Sequence, residues 1–341
     1  MFSSFTSPKK KLFLSLASLT ALLLFSIILA VSLGAVQLDL SNIFLFFSLT
    51  DNERNHARDF QVLLQLRLPR VLLAGMVGAI LALAGAAFQS LFRNPLAEPY
   101  VLGISGGAAL GAVLLIACGA FSLGIMWGAF AGALLATALI LIVSGFYQGD
   151  TPPENVILSG VVINAFFSAI IVFVISISSA SQVQTMAFWL MGDLSFVNYD
   201  ELLSLFFIFI ICGLIIYLQA RNLNALMLGE ETACQLGISP RRVRTIVILF
   251  ASLSIGFGVS LSGIIGFVGI IVPHIVKMVI GYDNRLVIPA SALLGASFLI
   301  LADLLSRILL PPTEIPIGAI TAIIGVPFFV FLLWRRRRRC C

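Results

Sequence analysis

Asp303 and Arg307 stand four residues apart inside an apolar run, a spacing that sets a carboxylate and a guanidinium on one helix face as an ion pair. A carboxylate in hydrocarbon can also bind or relay a coupling ion, and Asp303 is the only residue in the sequence placed for that work. His274 and Lys277 occupy another apolar run, where an imidazole following Pro273 can bond a carbonyl that the proline leaves free. Other chemistries are absent. No Lys follows a Gly, so the nucleotide-binding loop GxxxxGKS/T does not occur. With only His56 and His274, neither an HExxH pair nor a multi-histidine metal site can form. No nucleophile-elbow pattern accompanies His274. Cys118, Cys212, Cys234, Cys340 and Cys341 have neither zinc nor redox spacing. The chain is expected to be no enzyme, with no metal and no cofactor of its own.

The elements that hold these residues follow from composition. Of 341 residues, 60% are hydrophobic and 10% charged, against roughly 25% charged in a soluble domain. A crossing helix needs about 20 apolar residues. Apolar stretches fall near 12–36, 69–91, 100–118, 123–144, 155–178, 201–219, 244–262, 264–281, 286–310 and 316–334. The expectation is an all-α integral membrane protein of about ten transmembrane helices, forming one domain over 1–341. Lys9, Lys10 and Lys11 precede a first stretch that exceeds the 7–15 apolar residues of a signal peptide, so it reads as a span. Gln184 to Phe196 is too short to cross and reads as a short interfacial helix, with Trp189 at headgroup level.

Charge sets the orientation. With both termini cytoplasmic, the inner side holds Lys9–Lys11, Arg93, Arg221, Arg241, Arg242, Arg244, Arg285 and Arg335–Arg339, fourteen in all, and Lys277 makes fifteen. The outer side keeps five: Arg54, Arg58, Arg67, Arg70 and Arg307. Positive charge gathers inside, as expected for a membrane protein. The net charge of +5 is therefore a topology signal, not a nucleic-acid footprint.

Two connections are long: 37–68 outside and 220–243 inside. In the second, Leu226, Leu228, Ala233 and Leu236 give an apolar side, and Gly229 and Gly237 punctuate it. Two short helices with a turn between them fit this pattern, as a docking surface or as a solvated connector. Gly75, Gly78, Ala79, Ala82, Gly85 and Ala86 recur every three or four residues towards Gln89, a small-residue face that lets helix backbones approach closely. Gly160, Asn164 and Ser168 share a face of the fifth span; the amide lines a pathway or bonds a neighbouring helix.

Longer motifs go further. Arg67-Leu-Pro-Arg70, Arg93-Asn-Pro-Leu-Ala-Glu-Pro99 and Leu102-Gly-Ile-Ser-Gly-Gly-Ala108 follow one another. Leu228-Gly-Glu-Glu231, Gly266-Phe-Val-Gly-Ile-Ile-Val-Pro-His274, Pro289–Ala296, Glu314-Ile-Pro-Ile-Gly318 and Gly325-Val-Pro-Phe-Phe329 come after them. Over about 67–334 this closely resembles the FecCD-type family of ABC importer permeases, which carry iron–siderophores, haem and cobalamin.

The resemblance implies a permease with ten helices per subunit, paired with a second copy of itself or a homologous permease. It implies two separate ATP-binding subunits that hold ATP and Mg, and a periplasmic or lipid-anchored substrate-binding protein. The place is the bacterial inner membrane. Arg67, Arg70 and Arg307 match outer-rim arginines that pair with glutamates on the binding protein; the lesser alternative for Arg67 and Arg70 is anchoring to phosphate headgroups. Leu226, Leu228, Gly229, Glu230, Glu231, Leu236, Gly237, Arg241 and Arg242 fall in the segment matching the ATPase coupling element, 220–243. Asn94 and Leu96 match a cytoplasmic constriction, with Pro153 and Glu154 at the position of a second gate. Gln89, Gly160, Asn164 and Ser168 are expected along the translocation path. Lys277 stands where relatives commonly carry Arg, and Asn284 where His is frequent. The Arg335–Arg339 run suits anionic lipid headgroups. The rival reading is an ion-coupled secondary transporter built on Asp303.

Overall fold

Backbone polar groups find no water in hydrocarbon, so a chain this apolar must close its hydrogen bonds within helices. The computed structural model describes residues 8–34, 61–100, 102–145, 153–195, 197–311 and 313–337. Every regular element among them is helical. In order these are α1 (Pro8–Ser32), α2 (Leu68–Leu91), α3 (Ile104–Ala117), α4 (Ser122–Val143), α5 (Pro153–Ile177), α6 (Ala180–Met191) and α7 (Tyr199–Leu218). Then come α8 (Ala220–Met227), α9 (Glu230–Gln235), α10 (Pro240–Ser262), α11 (Val268–Ile280), α12 (Asn284–Ile308) and α13 (Ile317–Arg337). A wider π turn, Val62–Arg67, leads directly into α2. Arg54, His56, Arg58, Phe196, Arg338, Arg339, Cys340 and Cys341 lie outside the described residues.

Among the described residues, seven helices are long and apolar enough to cross a membrane: α1, α2 with its leading turn, α4, α5, α7, α10 and α12. The other three expected spans fall on shorter apolar stretches, Ile104–Ala117, Val268–Ile280 and Ile317–Phe331. Thirteen residues of α11 rise about 20 Å, short of a hydrocarbon core about 30 Å thick. Gly263–Phe267 link α10 to α11 without helix. Such backbone survives at membrane depth only where protein covers it. Here Ile265 and Val268 are buried, and the Ser262 carbonyl accepts the Asp193 N–H at 2.8 Å. Gly263 starts this stretch at φ 68°, and a Cβ there would fall 2.3 Å from the Trp189 carbonyl oxygen.

α2 is the central helix, packed against α1, α7, α8, α10, α11 and α12. Its small-residue face does what its spacing implies. A Cβ on Gly78 would lie 2.3 Å from the Gly295 carbonyl oxygen of α12, and one on Gly85 would lie 2.1 Å from that of Gly269 in α11. α3 and α4 repeat the device, with Gly107 against Gly132 and Gly111 against Gly128. Contact between backbones is how helices gain dispersion energy where lipid removes the hydrophobic drive.

The short helix expected at 184–196 is α6, which begins earlier because Ser179 and Gln182 form a reciprocal capping box. The 220–243 segment is a helix pair, α8 and α9, turned at Gly229 (φ 125°) and closed at Gly237 (φ 76°).

Gly78→Val should separate α2 from α12, because backbone on α12 cannot yield. A loss of about 3 kcal/mol, the upper end for overpacking, is expected, seen as a lower melting temperature in detergent. Gly266→Ala, with nothing within 4 Å of the added carbon, should melt like the parent.

Candidate functional site

Two polar clusters mark opposite ends of α2. At its start, Arg70 donates from Nε to Asp303 Oδ1 at 2.8 Å, and from Nη1 to Glu314 Oε2 at 2.7 Å and Ser195 Oγ at 3.3 Å. Arg307 Nε lies 3.0 Å from Asp303 Oδ2, close as an ion pair but misaligned as a hydrogen bond. The pairing expected within α12 is therefore one part of a four-member network. Arg307 also donates to the Ala30 carbonyl at 3.1 Å, and Arg67 donates to those of Val31 and Ser32 at 3.0 and 3.2 Å. These are last-turn carbonyls of α1, which have no partner within their own helix.

The three arginines were expected to stand exposed on a rim. They do not: Arg67 and Arg307 are each 5% exposed, and the Arg70 side chain is 11% exposed. Their positions follow from need. The Asp303 carboxylate, 1% exposed, requires cations, and the end of α1 requires donors.

At the other end of α2, Asn284 is fully buried and ties three elements together. Its Oδ1 accepts from Ser90 Oγ at 2.7 Å, and its backbone N–H and Nδ2 both donate to Asn224 Oδ1 at 2.8 Å. Asn224 in turn donates to Asp283 Oδ1 at 2.7 Å. The Arg285 guanidinium, helped by Asn224, pulls the Asp283 carboxyl down to about 2. Sequence reading noted Asn284 only as a departure from the family's histidine, and missed that it holds α8 against α2 and α12.

The helix pair presents two kinds of leucine. Leu226 and Ala233 are buried, whereas Leu228 is 73% and Leu236 is 64% exposed. A single apolar side was expected; instead two members face inward and two outward, Leu226 and Leu228 lying about 200° apart around the end of α8. Glu231, Gly237, Arg241 and Arg242 are exposed beside them. Glu230 pairs with Arg244 at the base of α10 and lies 3.8 Å from Arg93. Arg93 holds φ 49°, a left-handed value seldom kept by a residue with a side chain. It directly precedes Asn94, whose Oδ1 accepts the Leu96 N–H at 2.9 Å, so the segment matching the constriction touches the helix pair.

The expected path residues divide. Leu96 is 42% exposed, and Glu154 and Ser168 are exposed. Pro153 opens α5. Gln89 is buried: it donates to the Gly269 carbonyl at 3.1 Å and accepts from Lys277 Nζ at 3.0 Å. Lys277 is thus a tie between helices, not a loose charge at a helix end. Gly160 packs on the Leu102 backbone and Asn164 Oδ1 on Gly106, so both serve contact between α5 and α3. Ser168 donates to the Asn164 carbonyl at 2.8 Å.

Glu98, in the linker between α2 and α3, escaped notice because nothing in a loop sequence signals burial. It is 6% exposed. Burial raises its carboxyl to about 7, against the opposing pull of the Phe267 N–H it accepts. Folded protein then binds more protons than unfolded chain, so stability falls as pH rises from 4.5 towards 7. Glu98→Gln should erase that slope. The variant should match the parent near pH 5 and exceed it at pH 8 by up to about 3 kcal/mol, read by thermal unfolding.

Comparison with known proteins places this arrangement. The model of the FecCD transport family matches residues 22–335, extending the resemblance read at 67–334 back into α1. The hemin transport system permease protein HmuU of Yersinia pestis is 39% identical over 325 residues, 92% of this chain and 96% of the relative. The vitamin B12 import system permease protein BtuC of Vibrio cholerae is 39% identical over 284 residues, 82% of this chain and 85% of the relative. A solved metal-chelate-type ABC transporter in an inward-facing conformation superposes with a TM-score of 0.83 at 32% identity, over 94% of this chain and 98% of its own. With a crossing-helix bundle, a helix pair at one end and this match over nearly its whole length, the chain belongs to the FecCD transport family.

Proposed function

We propose that this chain is the membrane-spanning permease subunit of a binding-protein-dependent ABC importer for an iron chelate, haem or a corrinoid. The observation that carries the proposal is the α8–α9 pair. Leu228 and Leu236 stand bare at 73% and 64% exposure on a segment braced from behind by the Asn224–Asn284 bonds. Exposed leucines on a firm support fit an apolar cleft in another protein. The relatives named for hemin and vitamin B12 support the substrate classes.

In this reading α3, α11 and α13 complete ten crossings with both termini in the cytoplasm of a bacterial inner membrane. Two copies, or this chain and a homologous permease, flank the path. Two partner subunits bind ATP and Mg and hydrolyse the nucleotide. Their movement shifts α8–α9, and the Glu230–Arg93 contact passes it to Asn94 and Leu96. Arg67, Arg70 and Arg307 mark the face on which the substrate-binding protein docks. The carrier alternative rested on Asp303, whose charge is already matched by Arg70 and Arg307.

Purification from native membranes should bring an ATP-binding subunit with the chain; emergence without one overturns the proposal. Replacing Leu228 and Leu236 together by Asp should weaken that association at least tenfold, since each lost apolar anchor is worth about 1.5–3 kcal/mol. The unfolding temperature should stay unchanged, because neither side chain is buried. Assembly at the parental level would reject the coupling role.

A further inference from the structure

If Arg70 receives a carboxylate from a docking protein, it has to do so from a state in which two of its three nitrogens already hold carboxylates. Nε is held by Asp303 at 2.8 Å and Nη1 by Glu314 at 2.7 Å. The two carboxylates differ sharply. Asp303 is 1% exposed and is shared with Arg307, so an incoming group cannot replace it without stranding a buried charge. Glu314 is 42% exposed and has Arg70 as its ion-pair partner. It occupies the outer arm of the fork, where a second carboxylate would bind with the same geometry.

We propose that Glu314 is a displaceable internal ligand of Arg70, exchanged for a carboxylate of the docking protein, and that the exchange frees the turn leading into α13. The proposal rests on the docking role of Arg70 and adds the event that docking causes.

The turn is built to report such an exchange. It is tied to α12 by the Ile315 N–H on the Ser306 carbonyl at 3.2 Å, and to itself by the Thr313 N–H on the Leu310 carbonyl at 2.8 Å. Two residues after Pro316, Gly318 packs so tightly on α6 that a Cβ would fall 2.5 Å from the Met191 carbonyl oxygen. Ser195, just past α6, is also held by Arg70 at 3.3 Å. Loss of the Glu314 bond therefore loosens the one side-chain tie from Arg70 to the start of α13, while Ser195 keeps the arginine fixed to the α6 side. Exchange of one exposed carboxylate for another costs little, because the desolvation of Arg70 is unchanged by it.

The experiment uses the assembled transporter in nanodiscs and the substrate-binding protein that co-purifies with it. Glu314→Gln removes the competing charge and keeps the shape. It should tighten docking by about two- to fivefold, the factor an exposed ion pair is worth, with the gain shrinking in 1 M salt. A spin label at Leu310, 61% exposed, should gain mobility on docking in the parent and be mobile beforehand in the variant. Docking that is unchanged or weaker in Glu314→Gln, or a label indifferent to both changes, overturns the exchange. Arg70→Gln separates this outcome from failure of the docking reading, read only where the variant still assembles with its ATP-binding subunit at the parental unfolding temperature, because Asp303 then keeps Arg307 alone. If docking survives Arg70→Gln, the arginine is not the receptor and both ideas fall. If docking is lost in Arg70→Gln but not tightened in Glu314→Gln, only the exchange falls.

Discussion

Close approach of α2 to α12 is the constraint on which the rest of the molecule is hung. Gly78 and Gly295 bring the two backbones together, and Ala82 closes on Gly295 from the same side. With the crossing fixed there, the ends of the two antiparallel helices are fixed as well. Arg70 meets Asp303 at one end and Ser90 meets Asn284 at the other. Each polar cluster is thus a consequence of a contact between glycines near the middle of the bundle. Neither cluster could be satisfied if the helices were parted by the width of a methyl group, because buried charges and amides lose their value steeply with distance.

From this axis the two faces of the protein acquire different characters. The Arg70 end is a network of full charges, closed around an aspartate and drawing the last turn of α1 into place. The Asn224 end ties α8 with amides and a hydroxyl, and keeps its one ion pair, Asp283 with Arg285, at the half-exposed edge. Such a network suits an element that another protein is to push, since its bonds can break and re-form near the surface with modest loss. Glu230, by contrast, is charged and reaches two arginines at once, one at the base of α10 and one at the strained residue ahead of Asn94.

Much of this was legible in the chain. The glycine and alanine face of α2 could be read because helical contact depends on residues three and four apart, and Asp303 with Arg307 could be read for the same reason. The helix pair at 220–243 was legible because Gly229 and Gly237 stand where the backbone turns into positive φ. What stayed hidden was set by separation and by loops. Arg70 lies 233 residues from Asp303 and 244 from Glu314, so no local pattern connects them. Arginines that looked like a rim are buried because their partners come from distant helices. The division of Leu226 from Leu228 follows from their place two residues apart at the end of α8, about 200° around the helix, which grouping them as one apolar side overlooked. The expected spans at 100–118 and 264–281 were right as apolar stretches, yet each combines irregular backbone with a short helix, which hydropathy does not distinguish from one long helix.

The four-member network at the head of α2 has a further property. Two guanidinium groups and two carboxylates sum to zero, so the cluster is a compact set of opposed charges with no monopole. A single unmatched charge would feel about 2.3 kcal/mol for each 100 mV across the full membrane field. Arg70, Arg307, Asp303 and Glu314 moving as one body would feel almost none of that force. Voltage has next to no lever on these four groups while they stay together.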